Sequence, residues 1–341
     1  MYNRSVRSLI IFFVFSLAVI FIVLSFGELE TIVATLRQAH LFYVLLATAI
    51  ELAWFIVFGR MYWEVYRLLN LRATPLELTR LIAAANFINV VAPSGGLGGV
   101  AMIASEAGRR GQPTGRVTAA AALFLLFDQI AFLLILGLGL VVLLRRHNLG
   151  AGEIVASLLM LMIAAAYAAV LYLGYRSEKL LGRLLTALVG AVNKLLRPFV
   201  HRPYLSDARI LDFSRELYEG LACIHERPRS VIRPILWGLL NKSMLMAVLL
   251  CAFLSFQVPY SAGTIIAGFS FGYLFAMISP TPAGIGVVEG IMPVMLRSLR
   301  VDWSQAVIVT LVYRAITFWL PVGLGALAFR AMHNNHPSSA T

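Results

Sequence analysis

Charge is scarce in this chain. Only 13% of its 341 residues are Asp, Glu, Lys or Arg, against about 25% in an ordinary soluble domain, which excludes a fully water-solvated surface. Acid is scarcer than base, 16 residues to 28. The resulting +12 charge sits in short connections between apolar stretches, the pattern of cytoplasmic loops rather than of a nucleic-acid-binding face. Cysteine is nearly absent: Cys223 lies in a polar loop and Cys251 in an apolar stretch, which excludes a disulfide frame or a cysteine metal site. No clustered His or Cys ligands, no nucleophile beside a base and no phosphate-binding loop is found, so neither a cofactor nor catalysis is expected. Without an ATP motif, any driving force would be an ion gradient, a partner or the lipid gradient itself.

What the chain has in abundance is apolar length: 60% of it is hydrophobic. A membrane-spanning helix needs about 20 mainly apolar residues, and such stretches recur over 9–26, 41–59, 117–144, 154–175, 235–257, 263–279 and 304–329. The expectation is an all-α polytopic membrane protein, one transmembrane domain over 1–341, with about six full spans and two broken or re-entrant hairpins. The run after Arg4 and Arg7 has no small-x-small site before Gly27 and Glu28, so it reads as an uncleaved first span with its N-terminus inside.

Basic loops set the orientation. Arg60, Arg67, Arg72 and Arg80 follow one span, and Arg109, Arg110 and Arg116 precede the next, placing both connections in the cytoplasm. The segment between them must therefore return to the side it left. It is apolar and helical from Leu76 to Val91, breaks at Ala92-Pro93-Ser94-Gly95-Gly96-Leu97-Gly98-Gly99, and resumes from Val100 to Ala107. Irregular backbone in hydrocarbon leaves unsatisfied polar groups at several kcal/mol each, so the tip must be buried in protein or line a wet cavity. Asn86 and Asn89, just before the break, are suited to capping its exposed backbone.

Residues 176–230 are basic, with amphipathic pieces such as Ile210-Leu211-Phe213-Leu217-Leu221, and read as a cytoplasmic segment lying on the membrane surface. A second broken segment follows: helical from Gly263 to Ser279, interrupted at Pro280-Thr281-Pro282-Ala283-Gly284, restarted at Ile285-Gly286 and running to Leu299. The last span returns to a cytoplasmic tail marked by Arg330, which puts Arg297 and Arg300 outside, against the positive-inside pattern. The two halves, 41–144 and 231–330, share an order of span, apolar helix, Pro/Gly break, short helix and span. The breaks enter from opposite faces, the layout of inverted repeats in transporters.

Glu289, Arg314, Lys242, Asp128 and Glu51 interrupt apolar stretches, where ionisable groups cost about 2.5 to 3.5 kcal/mol each and face a cavity or a partner. Arg314 and Glu289 fit either a structural ion pair or a headgroup contact with its balancing acid, and both roles can belong to one pair. Lys242 is either a second cationic contact or a snorkelling side chain, and Asp128 is a site candidate beside Gln129. The helix starts near Gly98 and Gly284 offer free N–H groups to an anion such as a lipid phosphate. With Pro282, Gly286, Gly95 and Gly96 they form the candidate binding loops, unless these glycines serve only tight helix packing.

Here a family resemblance appears. Ser279-Pro280-Thr281-Pro282-Ala283-Gly284-Ile285-Gly286-Val287-Val288-Glu289, with Tyr313-Arg314 further on, resembles the C-terminal signature of the lysylphosphatidylglycerol synthase transmembrane-region family, also called flippase-like proteins. Pro93-Ser94-Gly95-Gly96-Leu97-Gly98-Gly99 and Gly108-Arg109-Arg110-Gly111 resemble its first motif. Many relatives carry an acid directly after the first glycine cluster, where Val100 and Ala101 stand here. The resemblance implies a lipid-handling unit of the cell membrane. The founding members also carry an aminoacyl-transfer domain, which has no counterpart in this sequence.

The leading expectation is a flippase or transporter of an anionic phospholipid or polyprenyl-linked substrate. The alternatives are a membrane enzyme acting on lipid and a non-catalytic partner of a synthase or glycosyltransferase. A homo-oligomer is compatible with each.

Overall fold

A computed structural model describes residues 39–91, 97–109, 111–146, 150–176, 215–216, 218–219, 228–279 and 281–334. The apolar run 9–26 and most of the 176–230 segment lie outside them. Among the described residues there are helices and no strands. In chain order these are α1 (Leu41–Leu68), α2 (Pro75–Val91), α3 (Leu97–Arg109), α4 (Thr114–Arg145), α5 (Ala151–Arg176), α6 (Ile232–Ser255), α7 (Ala262–Ile278), α8 (Val287–Ser298), α9 (Trp303–Arg314) and α10 (Leu320–Asn334). A π-helical turn, Ala315–Trp319, joins α9 to α10.

Among the described residues, four helical stretches are long and apolar enough to cross a bilayer: Leu41–Leu68, Thr114–Arg145, Arg229–Ser255 and Trp303–Ala331. Their outer faces are unusable in water. Leu134, Leu138 and Val141 of α4 are about half exposed at helical spacing, as are Leu41, Leu45, Leu52 and Ile56 of α1, forming stripes suited to lipid. Helices of this length with lipid-suited faces make this an all-α polytopic membrane protein.

Local chemistry sets the helix starts. Thr74-Pro75-Leu76-Glu77 opens α2 with a capping box: Thr74 N–H donates to Glu77 Oε2 at 2.9 Å and Glu77 N–H to Thr74 Oγ1 at 3.3 Å, with proline at the first position, where no N–H is missed. Ser261 Oγ accepts from Thr264 N–H at 3.1 Å to open α7.

Helices α1 and α6 form the principal packed pair. They run antiparallel: His40 N–H donates to Ser255 O at 2.8 Å at one end, and Met61 lies beside Gly238 toward the other. α1 also packs on α2, where a Cβ on Gly59 would stand 2.0 Å from Thr79 Oγ1, so only glycine permits that approach. α4 and α7 are antiparallel as well, with Ser270 Oγ donating to Ile135 O at 3.2 Å. One buried cluster joins α1, α6, α7, α8 and α9, and another joins α1 to α4.

Candidate functional site

The second break is a short irregular passage between α7 and α8. Ser279 Oγ accepts the Thr281 N–H at 3.1 Å, and Pro282–Gly284 forms one tight turn. Ala283, Gly284 and Gly286 all have positive φ, at 48°, 75° and 77°. The two glycines differ. A Cβ on Gly284 would stand 2.8 Å from Ala276 Cα and from Val288 Cγ2, whereas one on Gly286 would meet nothing within 4 Å. Gly284 thus meets both a backbone and a packing demand, and Gly286 only the backbone one.

Arg314 and Glu289 hold this passage. Arg314 Nε donates to Glu289 Oε1, Arg314 Nη2 to Ala283 O at 3.2 Å, and the Gly286 N–H to Glu289 Oε2 at 2.7 Å. The arginine is buried, and its guanidinium lies 4.6 Å from the centre of the Phe318 ring in the π-turn. One ion pair thereby anchors a residue on each side of Gly284. The Glu289 carboxylate occupies the α8 N-terminus, where an anionic ligand would sit. Glu289 and Arg314, the two polar residues the sequence singles out here, are in direct contact.

The first break carries a smaller latch. Asn89 Oδ1 accepts the Gly99 N–H at 2.7 Å, the capping role expected of it. Gly98 lies in the first turn of α3, while Gly95 and Gly96 lie outside the described residues. The end of α2, which leads into the first break, meets the second. Val90, one residue before the end of α2, packs with Ile285 of the second break and with Phe318 in one buried cluster, and α2 also contacts the Pro282–Gly284 turn.

Asp128 and Lys242 form a separate centre between α4 and α6. Lys242 Nζ lies 2.7 Å from Asp128 Oδ1, hydrogen-bonds to Oδ2 at 2.9 Å, and donates to Tyr273 Oη of α7 at 2.8 Å. The lysine is 0% exposed, so it does not snorkel. Its ammonium is bonded within the protein, and the site is a three-helix tie. Tyr273 escapes a sequence reading because a lone hydroxyl in an apolar helix gives no periodic signal.

Glu51 is also buried, and neither of its carboxyl oxygens has a hydrogen-bond partner among the described residues. Tyr313, next to Arg314 in the chain, is buried as well. No three His, Cys, Asp or Glu side chains converge as metal ligands would, among the described residues.

The sequence matches the lysylphosphatidylglycerol synthase TM region over residues 9–325. The chain belongs to that family. Membership makes it a membrane protein related to lipid handling, and the match takes in both breaks and both charged centres. No curated relative matches the chain.

Proposed function

We propose that the chain translocates an anionic phospholipid or a polyprenyl-linked substrate between leaflets, with the joined breaks as the crossing point for the headgroup. One observation carries this reading: Val90, Ile285 and Phe318 pack together, so the end of the helix that leads into the first break is buried against the second break. Irregular backbone at membrane depth is tolerated where it is buried or lines a cavity, and converging broken helices are a recurring transporter plan. In this reading α1 to α4 and α6 to α10 are inverted repeats, and both termini face the cytoplasm of a cell whose plasma membrane the chain spans.

The Glu289 carboxylate stands in for the substrate anion. A headgroup phosphate entering at Gly286, whose Cα faces open space, would displace it and accept from the same two donors, Arg314 Nε–H and the Gly286 N–H. Arg314 itself is buried against Phe318, which strengthens its attraction for an anion relative to a fully hydrated arginine.

The test is leaflet exchange in liposomes carrying the full chain and a panel of fluorescent lipids. Anionic lipids should exchange faster than zwitterionic ones and faster than in protein-free vesicles. Arg314→Gln should abolish the exchange in correctly inserted protein. Rates equal to protein-free vesicles for every lipid in the panel would refute the proposal.

A further inference from the structure

We propose that a cleft at the Arg146 end of the bundle binds a phosphate group, carried by a lipid headgroup or free in solution. The cleft has a volume of about 760 Å³ and is lined by Arg145, Arg146, Arg300, Ser261 and Thr264 among others, with no acidic residue.

Two sequence-distant arginine groups converge there. Arg145 and Arg146 end α4, and Arg300 follows α8. Arg146 Nη2 donates to Ser261 Oγ at 2.7 Å, and its Nη1 lies 3.5 Å from Thr264 Oγ1 and 3.4 Å from Leu299 O. It is thereby fixed against the first turn of α7. Arg145 and Arg300 have no acceptor among the described residues, and Glu153 and Asp302, the acids nearest in the chain, pair with none of the three.

The opposite end of the bundle is different. There three arginines have acid partners, Arg67 with Glu64, Arg109 with Glu106 and Arg116 with Glu219, while Arg60, Arg72 and Arg80 form no ion pair among the described residues. α4 alone separates the two ends by about 48 Å at 1.5 Å per residue. Three uncompensated guanidinium groups around two hydroxyls repel one another unless an anion joins them, and planar forks with hydroxyl donors suit phosphate oxygens. They also stand at the end where the positive-inside pattern expects few basic residues. If the chain translocates lipid as proposed above, this cleft is where the headgroup is held on the far side; the phosphate site itself does not depend on that reading.

The test is equilibrium binding of labelled dihexanoyl-phosphatidylglycerol to the full chain in detergent, with inorganic phosphate as competitor and dihexanoylglycerol as the phosphate-free control. The Arg145→Gln/Arg300→Gln variant removes charge without breaking a hydrogen bond of the fold, and Arg146→Lys keeps charge but loses the fork. Binding should weaken at least tenfold in the double variant and fall with added salt. Competition by inorganic phosphate at matching concentration identifies free phosphate as the ligand, and its absence identifies the lipid. Equal affinity for wild type and double variant, or equal binding of dihexanoylglycerol, overturns the proposal. Leaflet exchange measured on the same preparations separates the two claims. Binding lost in the variant with no exchange by wild type sinks translocation alone, while exchange with unaltered binding sinks the cleft alone.

Discussion

Arg314 and Glu289, 25 residues apart in the chain, meet across the second break, and each also grips the loop backbone, at Ala283 O and Gly286 N–H. Removing one partner leaves a buried charge unpaired. Arg314→Gln and Glu289→Gln should each lose about 3 to 5 kcal/mol of stability. The double variant should recover part of that, short of wild type because the Ala283 carbonyl and Gly286 amide lose their charged partners. Chemical unfolding in detergent measures all four proteins; additive losses would show that the residues are energetically independent.

The two glycines of the second break should rank differently. Gly286→Ala meets open space and carries only the left-handed backbone penalty, about 1 to 2 kcal/mol. Gly284→Ala carries that penalty and places a methyl 2.8 Å from Ala276 Cα, so its loss should be clearly larger. A thermal melt of both variants decides the order, and equal midpoints would contradict the packing described.

Lys242 and Asp128 should behave as a buried pair. Asp128→Asn strands a fully buried ammonium, and a loss of about 3 to 5 kcal/mol is expected. Lys242→Met/Asp128→Leu, which removes both charges, should regain most of it. Thermal midpoints of the single and double variants check this, and a double variant as unstable as Asp128→Asn would show that the tie is not what the charges serve.

One contact outside the spans should respond to pH. Glu219 accepts hydrogen bonds from Arg116 at 2.8 Å and from Arg215 at 3.2 Å, and these, Arg116 foremost, hold its carboxyl below the usual carboxylate range. A lowered folded value means the contact is present above the unfolded value, about 4.3, and is lost as pH falls through the lower folded one. Hydrogen exchange of the 215–219 amides, corrected for the intrinsic pH dependence, should therefore quicken as pH falls through that window or in high salt, and Arg116→Gln should quicken it at neutral pH. Exchange indifferent to all three would rule the contact out.

Much of this is legible in the sequence. Pro93 and Pro282 with their glycines mark the breaks because no continuous helix accommodates them, and α7, expected over 263–279, occupies Ala262–Ile278. Buried charges announce themselves by their cost in an apolar stretch. Their partners do not. Periodicity describes a helix's own faces, and α7 is apolar on every side, so nothing in it distinguishes Tyr273 as the residue beside Lys242. Nor does spacing separate Gly284, hemmed in by Ala276, from Gly286, which is open. The meeting of Arg146 with Ser261 joins positions 115 residues apart, and only tertiary packing reveals it.

The joined breaks are the centre of the account, and one cross-link tests them. Val90→Cys/Ile285→Cys in a background lacking Cys223 and Cys251 places two thiols in the shared cluster. Bridging them with a short bifunctional thiol reagent should stop leaflet exchange of anionic lipid in liposomes, and a reagent cleavable by reduction should let exchange resume. Bridged protein that exchanges lipid at the unbridged rate would contradict the claim that the headgroup crosses where the two breaks meet.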